Sequence, residues 1–361
     1  MSVGFIFSKW ISDLNELFRS PNAGLFGRRV RRERGARIPV IVVTGFLGAG
    51  KTTLLRNFLQ TREGRGTAVV VNEFGAAGID DVLLRSSADE TVLLGNGCLC
   101  CNVRSDLQVA LRRLLADRER GTIPHFRRVV IETSGLADPG PILRTFATDR
   151  ALGGEFHVEA VIAVADAVNG SSTIEAFAEA RRQMIVADVI VVTKSDLADA
   201  STCPDLQARL RVLNPCATIV QARHGALDPA VFTAGLSASR IPDHDFSAEP
   251  MHSDGIGSFV MRWDHPLPWS VVARSMDTLL ALRGADILRA KGLLAIAGCT
   301  GPVVVQFVQH LAHPPVELQA WPDGERDSRL VFITRHMAMA EVQALFDAVA
   351  ALLPDTAHAG G

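Results

Sequence analysis

The sequence predicts an α/β domain in which helices cover both faces of a mostly parallel sheet, followed by a smaller α+β domain. Over residues 38–240, short Val- and Ile-rich runs alternate regularly with helix-length stretches. Runs that are apolar on every side are typical of parallel strands buried on both faces. A polar stretch broken by Pro and Gly follows at residues 241–257, and we interpret it as a linker. Strand patterns with two helix patterns then fill residues 258–355, which favours an α+β unit.

Each domain can be divided into predicted elements. The strands predicted in the first domain are Pro39–Thr44, Thr67–Val71, Arg128–Glu132, Ala160–Val164, Val189–Thr193 and Thr218–Val220. The strands predicted in the second domain are Ser258–Trp263, Leu293–Ala297, Val303–Val308 and Arg329–Ile333, with helices at Pro268–Leu282 and Met339–Leu352. A chain of 361 residues is long enough for two such domains, each with its own core.

Residues 1–37 form a basic extension of a different character. They carry eight Lys or Arg residues and three acids, a net charge of +5, so the rest of the chain carries −7. Apolar residues fall at helical spacing within residues 5–19, which is compatible with a helix that docks on a membrane surface or a partner. We favour the simpler interpretation of a segment that folds back on the body or stays loose, and a mis-assigned start codon is a further alternative. The acidic body lacks a nucleic-acid footprint, so we expect no nucleic-acid partner.

The composition is that of a globular protein without a membrane span. Hydrophobic residues make up 48% of the chain and charged residues 21%. No apolar run approaches the ~18 residues of a transmembrane helix. Three of the six cysteines fall within four residues, and no secretory signal precedes them. We therefore expect a soluble, cytoplasmic protein in which this cysteine cluster binds metal or is redox-active.

The first predicted strand runs directly into a phosphate-binding loop. The segment Gly45-Phe-Leu-Gly-Ala-Gly-Lys-Thr-Thr53 satisfies the pattern G-x-x-x-x-G-K-[ST], and a helix pattern follows at Thr53–Gln60. Glycines allow successive N–H groups to point at phosphate oxygens, at the positive end of the helix. Lys51 is predicted to reach the β- and γ-phosphates, and the Thr52 hydroxyl to ligate Mg²⁺. The predicted nucleotide contacts are Gly45, Gly48, Ala49, Gly50, Lys51, Thr52 and Thr53.

Two further loops are predicted to supply groups for hydrolysis. The strand Arg128–Glu132 ends in Glu132-Thr-Ser-Gly135, where the acid can hold the Mg²⁺ shell or orient a water. The N–H of Gly135 can then meet the γ-phosphate. The motif Asn72-Glu-Phe-Gly75 follows the second strand in the same way and supplies Glu73. For Asn72 and Gly75, turn chemistry is an equally good explanation.

The motif Thr193-Lys-Ser-Asp196 after the sixth predicted strand is close to the guanine-reading pattern N-K-x-D. A carboxylate at Asp196 can accept both the N1–H and the N2–H₂ of guanine, which adenine cannot donate. Lys194 is predicted to lie across the ring. Thr193 replaces the usual Asn, which removes one amide contact and is expected to weaken affinity rather than specificity. The N–H of Ala222 is predicted to meet guanine O6, so GTP is favoured over ATP.

Cys98, Cys100 and Cys101 offer up to three soft thiolate ligands, suited to Zn²⁺ or Cu(I). A closed zinc site has four ligands, so a fourth comes from elsewhere or one position stays open. Three sulfurs do not decide between Zn²⁺, Co²⁺, Fe²⁺ and Cu(I). Buried cysteines without a ligand, or a redox pair, are the alternatives.

These motifs together resemble the CobW family of metal-handling P-loop GTPases. They stand in the family order at residues 45–53, 72–75, 97–101, 132–135 and 193–196, and the likeness spans roughly residues 38–353, including Leu213-Asn-Pro215, Arg289-Ala-Lys-Gly292 and Arg329-Leu-Val-Phe-Ile333. The resemblance implies a P-loop NTPase fold followed by the family's C-terminal domain. It also implies delivery of a metal, most often zinc, to a client metalloprotein through Cys98, Cys100 and Cys101.

The sequence departs from the family in three places. Ala76 and Ala77 follow the second motif where an acid is common. The long His-rich loop of some members is absent, with only His244 and His252 in the linker. The basic extension has no counterpart. His310 and His313 are interpreted as surface or packing residues rather than metal ligands.

The functional hypothesis is a switch in which GTP and Mg²⁺ order the loops carrying Glu73 and Glu132, and hydrolysis releases the metal. One alternative is a chaperone or activator for cobalt or iron enzymes, as in cobalamin synthesis or for nitrile hydratase. Others are a non-catalytic metal buffer or redox sensor, and a small-molecule kinase, although no acceptor pocket is evident. A homo-oligomer is compatible with the sequence.

Overall fold

The computed structural model describes residues 37–72, 92–95, 103–199, 201–233, 247–248, 255–322 and 327–352. The described residues fall into two compact units, one within residues 35–240 and the other within residues 241–361. Among the described helices, none combines the length and the apolar character needed to cross a bilayer.

The first unit contains a seven-stranded sheet in the order β3-β2-β4-β1-β5-β6-β7, and every neighbouring pair is parallel. The strands are β1 Ile38–Gly45, β2 Thr67–Asn72, β3 Val92–Gly95, β4 Arg128–Thr133, β5 Phe156–Asp166, β6 Val189–Thr193 and β7 Thr218–Gln221. The helices are α1 Lys51–Leu59, α2 Val103–Glu119, α3 Gly140–Thr148, α4 Arg150–Glu155, α5 Gly170–Ala176, α6 Ala178–Ile185 and α7 Thr202–Leu213. A 3₁₀ turn at Pro229–Phe232 follows β7.

Both faces of this sheet are buried, which explains why its strands read as continuous apolar runs. Along β5, Ile162 and Val164 pack on the face covered by α1, in a cluster with Leu54, Leu55 and Phe58 of that helix. Their neighbours Ala163 and Ala165 pack on the opposite face, against α5, α6 and α7. Alternate residues thus serve opposite layers. The predicted three-layer α/β architecture is confirmed.

The strand order brings the functional loops to one edge. β1 lies between β4 and β5, with Val43 opposite Glu132 and Gly45 opposite Val164. In a parallel sheet all carboxyl ends lie at the same edge, so the segments after β1, β4, β5 and β6 converge there. The four-residue edge strand β3 was missed in the sequence, because it lies in a mainly polar stretch.

The second unit contains an antiparallel sheet in the order β12-β11-β10-β14-β9-β8, with β13 paired to β11. Its strands are β8 Ser247–Ala248, β9 Ile256–Trp263, β10 Ile287–Leu294, β11 Val303–Val308, β12 Leu311–Ala312, β13 Val316–Glu317 and β14 Ser328–Arg335. Two helices, α8 Trp269–Arg283 and α9 Met339–Leu352, contribute residues to the core that covers one sheet face. The predicted α+β unit is confirmed.

One predicted strand in this unit was wrong. The sequence placed a strand at Leu293–Ala297, whereas β10 runs over Ile287–Leu294. The strand was not recognised because it contains two cations, Arg289 and Lys291. Both are almost fully buried in the sheet. Gly292 follows Lys291, and glycine is required there because a Cβ would be 2.2 Å from the Arg329 carbonyl oxygen.

Candidate functional site

The loop between β1 and α1 has the backbone of a phosphate cradle. Gly45, Gly48 and Gly50 have φ values of 142°, 71° and 95°, which side chains other than glycine rarely adopt. At Gly45 an added Cβ would also lie 2.4 Å from the Val164 carbonyl oxygen on β5. Glycine is therefore required here both by the turn and by the neighbouring strand.

The Lys51 side chain lies within this loop. It is only 8% exposed, and its Nζ donates to the carbonyl oxygens of Gly45 (2.8 Å) and Phe46 (3.1 Å). Lys51 also begins α1, whose first N–H groups point to the same place. A cation and a helix N-terminus thus converge on the loop, an arrangement that attracts phosphate.

Two oxygen atoms suited to a divalent cation meet at the start of α1. The Thr52 hydroxyl donates to Oε1 of Glu132 across 2.6 Å, and Glu132 is 4% exposed at the end of β4. Next to them, the Thr133 hydroxyl donates to the Thr44 hydroxyl (2.9 Å) and joins β4 to β1. A hydroxyl and a carboxylate are hard oxygen ligands of the type Mg²⁺ prefers, so the residues present fit this ion.

The loop after β4 is pressed against the phosphate loop. Ser134–Ala137 forms a turn in which the Ala137 N–H donates to the Ser134 carbonyl (3.0 Å). A Cβ at Gly135 would lie 2.6 Å from the backbone nitrogen of Leu47, so only glycine fits. Within the described part of the chain, the N–H groups of Gly135 and Leu136 donate no hydrogen bond.

Thr193 connects the predicted base-reading loop, residues 193–196, to the phosphate loop. It is buried, and its hydroxyl donates to the carbonyl oxygen of Ala49 (2.7 Å) and lies 3.2 Å from that of Ala165. The sequence predicts Thr193 as one of the nucleotide-binding residues, with one amide contact fewer than the usual Asn would give. The structure adds a positioning contact, because its hydroxyl joins β6 to the loop that carries Gly50. Whether the substitution also weakens affinity stays a prediction.

Lys194 is held by an acid that sequence reasoning missed. It has a positive φ of 56°, and its Nζ donates to Oδ2 of Asp166 across 2.6 Å. Burial alone would raise the pKa of Asp166, but hydrogen bonds from Lys194 and from the N–H of Val168, with the lysine charge, hold it below its ordinary value. Asp166 stands at the tip of β5, and its place after an apolar strand was the available signal.

Asp196 lies further out, in an exposed position. Its Oδ1 accepts from the N–H of His224 (3.3 Å), and its Oδ2 lies 3.2 Å from Nδ1 of the same residue. Its own backbone N–H, and then that of His224, lower the pKa of this carboxyl. The N–H of Ala222 donates to the Val192 carbonyl (2.8 Å). The contact predicted between Ala222 and guanine O6 stays a prediction, and it requires this N–H to leave its bond.

A cavity of about 150 Å³ lies beside the phosphate loop, on the side of α5 and α6. Phe46, Ala49, Ile174 and Met184 line it together with Asp166 and Lys194. The Phe46 ring packs on Phe177 with ring centroids 4.6 Å apart. The cavity thus adjoins both the phosphate loop and the base-reading loop.

Several predicted site residues lie outside the described residues. They are Glu73, Gly75, Cys98, Cys100, Cys101, His244 and His252. Asn72 ends β2, paired with Thr133 of β4. His313 is buried and His310 half-buried in the second unit. Over the ranges that the structure describes, no group of three or more His, Cys, Asp or Glu residues is arranged to hold a metal ion.

Two buried amides were also missed by sequence reasoning. Gln183 of α6 donates to the carbonyl oxygens of Gly135 and Ala137. Asn214, which follows α7, donates to three carbonyl oxygens at the end of α6. For Gln183 the available signal was a polar residue next to the apolar residues of a helix, and for Asn214 its place in the Leu213-Asn-Pro215 motif.

The comparisons with known proteins agree over both units. A model described as the CobW/HypB/UreG nucleotide-binding domain matches residues 39–221, and a model of the cobalamin synthesis protein cobW C-terminal domain matches residues 256–350. The chain is 37% identical over 316 residues to the zinc chaperone YjiA of Escherichia coli (strain K12), covering 86% of this chain and 98% of the relative. It is 34% identical over 346 residues to the zinc chaperone CobW of Pseudomonas aeruginosa, covering 85% and 90%.

A solved structure is similar over the same length. The crystal structure of Zn(II)-bound YjiA GTPase from E. coli superposes with a TM-score of 0.64 at 31% sequence identity, covering 87% of this chain and 99% of that one.

Proposed function

The chain belongs to the CobW family, and from that premise we propose that it is a GTPase that binds zinc and delivers it to a client metalloprotein. The observation that carries the proposal is the buried phosphate end of the site, where Lys51, Thr52 and Glu132 converge behind a glycine-rich loop. The names of the relatives, zinc chaperones in both cases, support the choice of metal.

The phosphate end is suited to hydrolysis. Lys51 exchanges the carbonyl oxygens of Gly45 and Phe46 for phosphate oxygens, which are stronger acceptors because they are charged. Thr52 and Glu132 would hold Mg²⁺, whose chemistry in such a site is to neutralise charge on the phosphate oxygens. The N–H groups of Gly135 and Leu136 would stabilise the negative charge that develops on the γ-phosphate.

The base end is suited to guanine. The Asp196 carboxylate accepts from N1 and N2, and the low pKa of this group keeps it charged at neutral pH. The hydrogen bond from Lys194 to Asp166 fixes the lysine stem that would lie on the ring. GTP rather than ATP is therefore the proposed substrate.

The zinc site is proposed at Cys98, Cys100 and Cys101. These residues stand in the chain between the end of β3 at Gly95 and the start of α2 at Val103. β3 is parallel to β2, so its carboxyl end lies at the same edge of the sheet as the phosphate loop. A thiolate site that follows this edge would be coupled to the nucleotide state, and zinc affinity and GTP affinity would then change by the same factor.

The first test is GTP hydrolysis by the purified protein with and without stoichiometric Zn²⁺. The variant replaces Cys98, Cys100 and Cys101 with Ala, and the matched control replaces Cys203 and Cys299, the two half-buried cysteines outside the motif. We expect zinc-dependent turnover in the wild type and in the control, and its loss in the triple variant. If neither zinc nor the triple substitution changes the rate of GTP hydrolysis, the protein is a GTPase whose activity is not coupled to a metal.

The second test is metal titration into the protein without nucleotide, with GDP, and with a non-hydrolysable GTP analogue. Zinc affinity is expected to differ between the last two states by about 5- to 150-fold, the usual range of coupling. Equal affinities in all three states would refute the coupling. The same titration with Co²⁺ and Fe²⁺ distinguishes a zinc chaperone from an activator of cobalt or iron enzymes.

A further inference from the structure

We infer that Gln183 is a positioning residue that sets the direction of the two N–H groups facing the γ-phosphate. The inference rests on the proposed GTPase function and adds a residue to its machinery. Gln183 lies in α6, is fully buried, and its Nε2 donates to the carbonyl oxygens of Gly135 and Ala137, each across 3.0 Å.

The effect follows from the planarity of the peptide bond. In a trans peptide the C=O of one residue points opposite to the N–H of the next. Fixing the Gly135 carbonyl on Gln183 therefore directs the Leu136 N–H away from α6. The Ser134 carbonyl accepts from the N–H of Ala137, and Gln183 in turn holds the Ala137 carbonyl, so Gln183 acts on the Gly135 N–H indirectly, through Ala137. Both N–H groups are thus oriented through their partner carbonyls.

The loop is held from two sides. On one side the backbone of Gly135 touches Leu47 of the phosphate loop so closely that no Cβ fits. On the other side stands Gln183, because the ion pair of the neighbouring Arg182 with Asp138 is longer, at 3.8 Å, and partly exposed. Without the amide, the loop keeps its packing but the carbonyls lose their fixed partner.

The end of α6 beyond Gln183 is capped by a second buried amide, which does not contact the loop. Nδ2 of Asn214 lies 2.8–2.9 Å from the carbonyl oxygens of Met184, Ile185 and Ala187, which ends α6 in a defined position. Oε1 of Gln183 is buried and accepts no hydrogen bond among the residues the structure describes. A buried acceptor without a donor lowers the stability of the fold. The presence of a glutamine here is therefore explained by the two hydrogen bonds that it donates, and not by a gain in folding stability.

The closing experiment compares Gln183→Met with Asn214→Leu in full-length protein. Gln183→Met keeps the length of the side chain and removes both donors, whereas Asn214→Leu weakens the same helix without touching the loop. Both are expected to lower Tm. Only Gln183→Met is expected to lower kcat for GTP, by about 10- to 100-fold, with KM within about threefold, because the loss falls on charge developing at the γ-phosphate.

A second variant covers a failure of Gln183→Met to fold. Gln183→Glu keeps the shape but places an acceptor against two carbonyls, and a proton on the carboxyl restores one donor. Its kcat relative to wild type should therefore rise as the pH falls from 8 to 5.5. A flat ratio across that range would contradict the positioning role.

The outcomes separate the two hypotheses. If the wild type hydrolyses GTP and Gln183→Met matches it within threefold, the inference fails and the proposed function stands. If Asn214→Leu loses as much kcat as Gln183→Met, the effect belongs to helix stability and the inference fails. A wild-type protein that neither binds nor hydrolyses GTP would overturn the proposed function, and this inference with it.

Discussion

The two ends of the proposed nucleotide site are built differently. At the phosphate end Lys51 and Glu132 are 8% and 4% exposed, and each is hydrogen-bonded inside the first unit. At the base end the Asp196 side chain is 21% exposed and its partner His224 is 81% exposed. Charges interact more strongly where water is excluded, so the phosphate end is suited to stabilising charge and the base end to selecting a ligand. Substitutions at the two ends should therefore differ in size and in kind.

The largest effect is expected from Lys51→Ala at the phosphate end. The substitution removes the cation and leaves the Gly45 and Phe46 carbonyls without it, so kcat/KM for GTP should fall at least about 100-fold. Steady-state phosphate release measures it. Arg56→Ala, which removes a cation from the last turn of the same helix, is the control and should stay within twofold. Equal losses in both variants would mean that the general charge of α1 is responsible.

The next effect is expected from Glu132→Gln. The amide can still accept from Thr52, but the negative charge beside the hydroxyl is gone. We expect kcat to fall about 10- to 100-fold with KM little changed, and the Mg²⁺ concentration for half-maximal rate to rise. Asp138→Asn on the following loop is the control. A variant with normal kcat at saturating Mg²⁺ would show that Glu132 serves only to bind the ion.

The sequence predicted the residues that belong to contiguous motifs, but not those that act through long-range contacts. Lys51, Thr52, Glu132 and Gly135 belong to contiguous motifs whose strand and turn context fixes their place, and the structure brings them together. Asp166 and Gln183 act through contacts with residues distant in sequence, 28 positions away for Asp166 with Lys194 and 46 and 48 positions away for Gln183 with the loop after β4. No local pattern encodes such contacts, so they emerge only from the fold.

The fold was predictable for the same reason. Its prediction failed where charged residues are buried. Parallel strands such as β1 are apolar on both faces, so their composition alone identifies them. β10 was misplaced because Arg289 and Lys291 are buried against the usual preference of charged residues. The segments around Glu73 and the three motif cysteines lie outside the described residues, so their predicted roles stay predictions.

At the base end, Asp196→Asn should change selectivity more than rate. The amide replaces one acceptor by a donor, so it opposes the N–H groups of guanine and matches a carbonyl in that position, as in xanthine. GTP should bind at least about tenfold more weakly, and xanthosine triphosphate (XTP) should bind more tightly than it does to the wild type. The kcat at saturating nucleotide should be nearly unchanged. His224→Ala, which removes an exposed neighbour, is the control. A fall in kcat with unchanged nucleotide preference would contradict the division between the two ends.

The smallest effect is expected on GDP affinity when the pH is lowered from 7.5 to 5.5. The pKa values of Asp166 and Asp196 both lie below the ordinary 3.8, so each carboxylate keeps its interactions above that value and loses them only as the pH falls through a still lower one. GDP affinity should therefore change less than about twofold between pH 7.5 and 5.5, as measured by fluorescence titration. A steep loss within that range would show that another group controls base binding.

The position of β1 in the sheet also determines when the phosphate loop can form during synthesis. β1 is made first, but its two neighbours, β4 and β5, begin only at residues 128 and 156. At about 5–20 residues per second, ribosomes reach β5 on the order of ten seconds after β1. Until β4 is made, the apolar strand β1 has neither of its pairing partners, and until β5 is made it has only one. The proposed nucleotide site is consequently completed late in the synthesis of this chain, and we expect the nascent β1 segment to be prone to aggregation in the meantime.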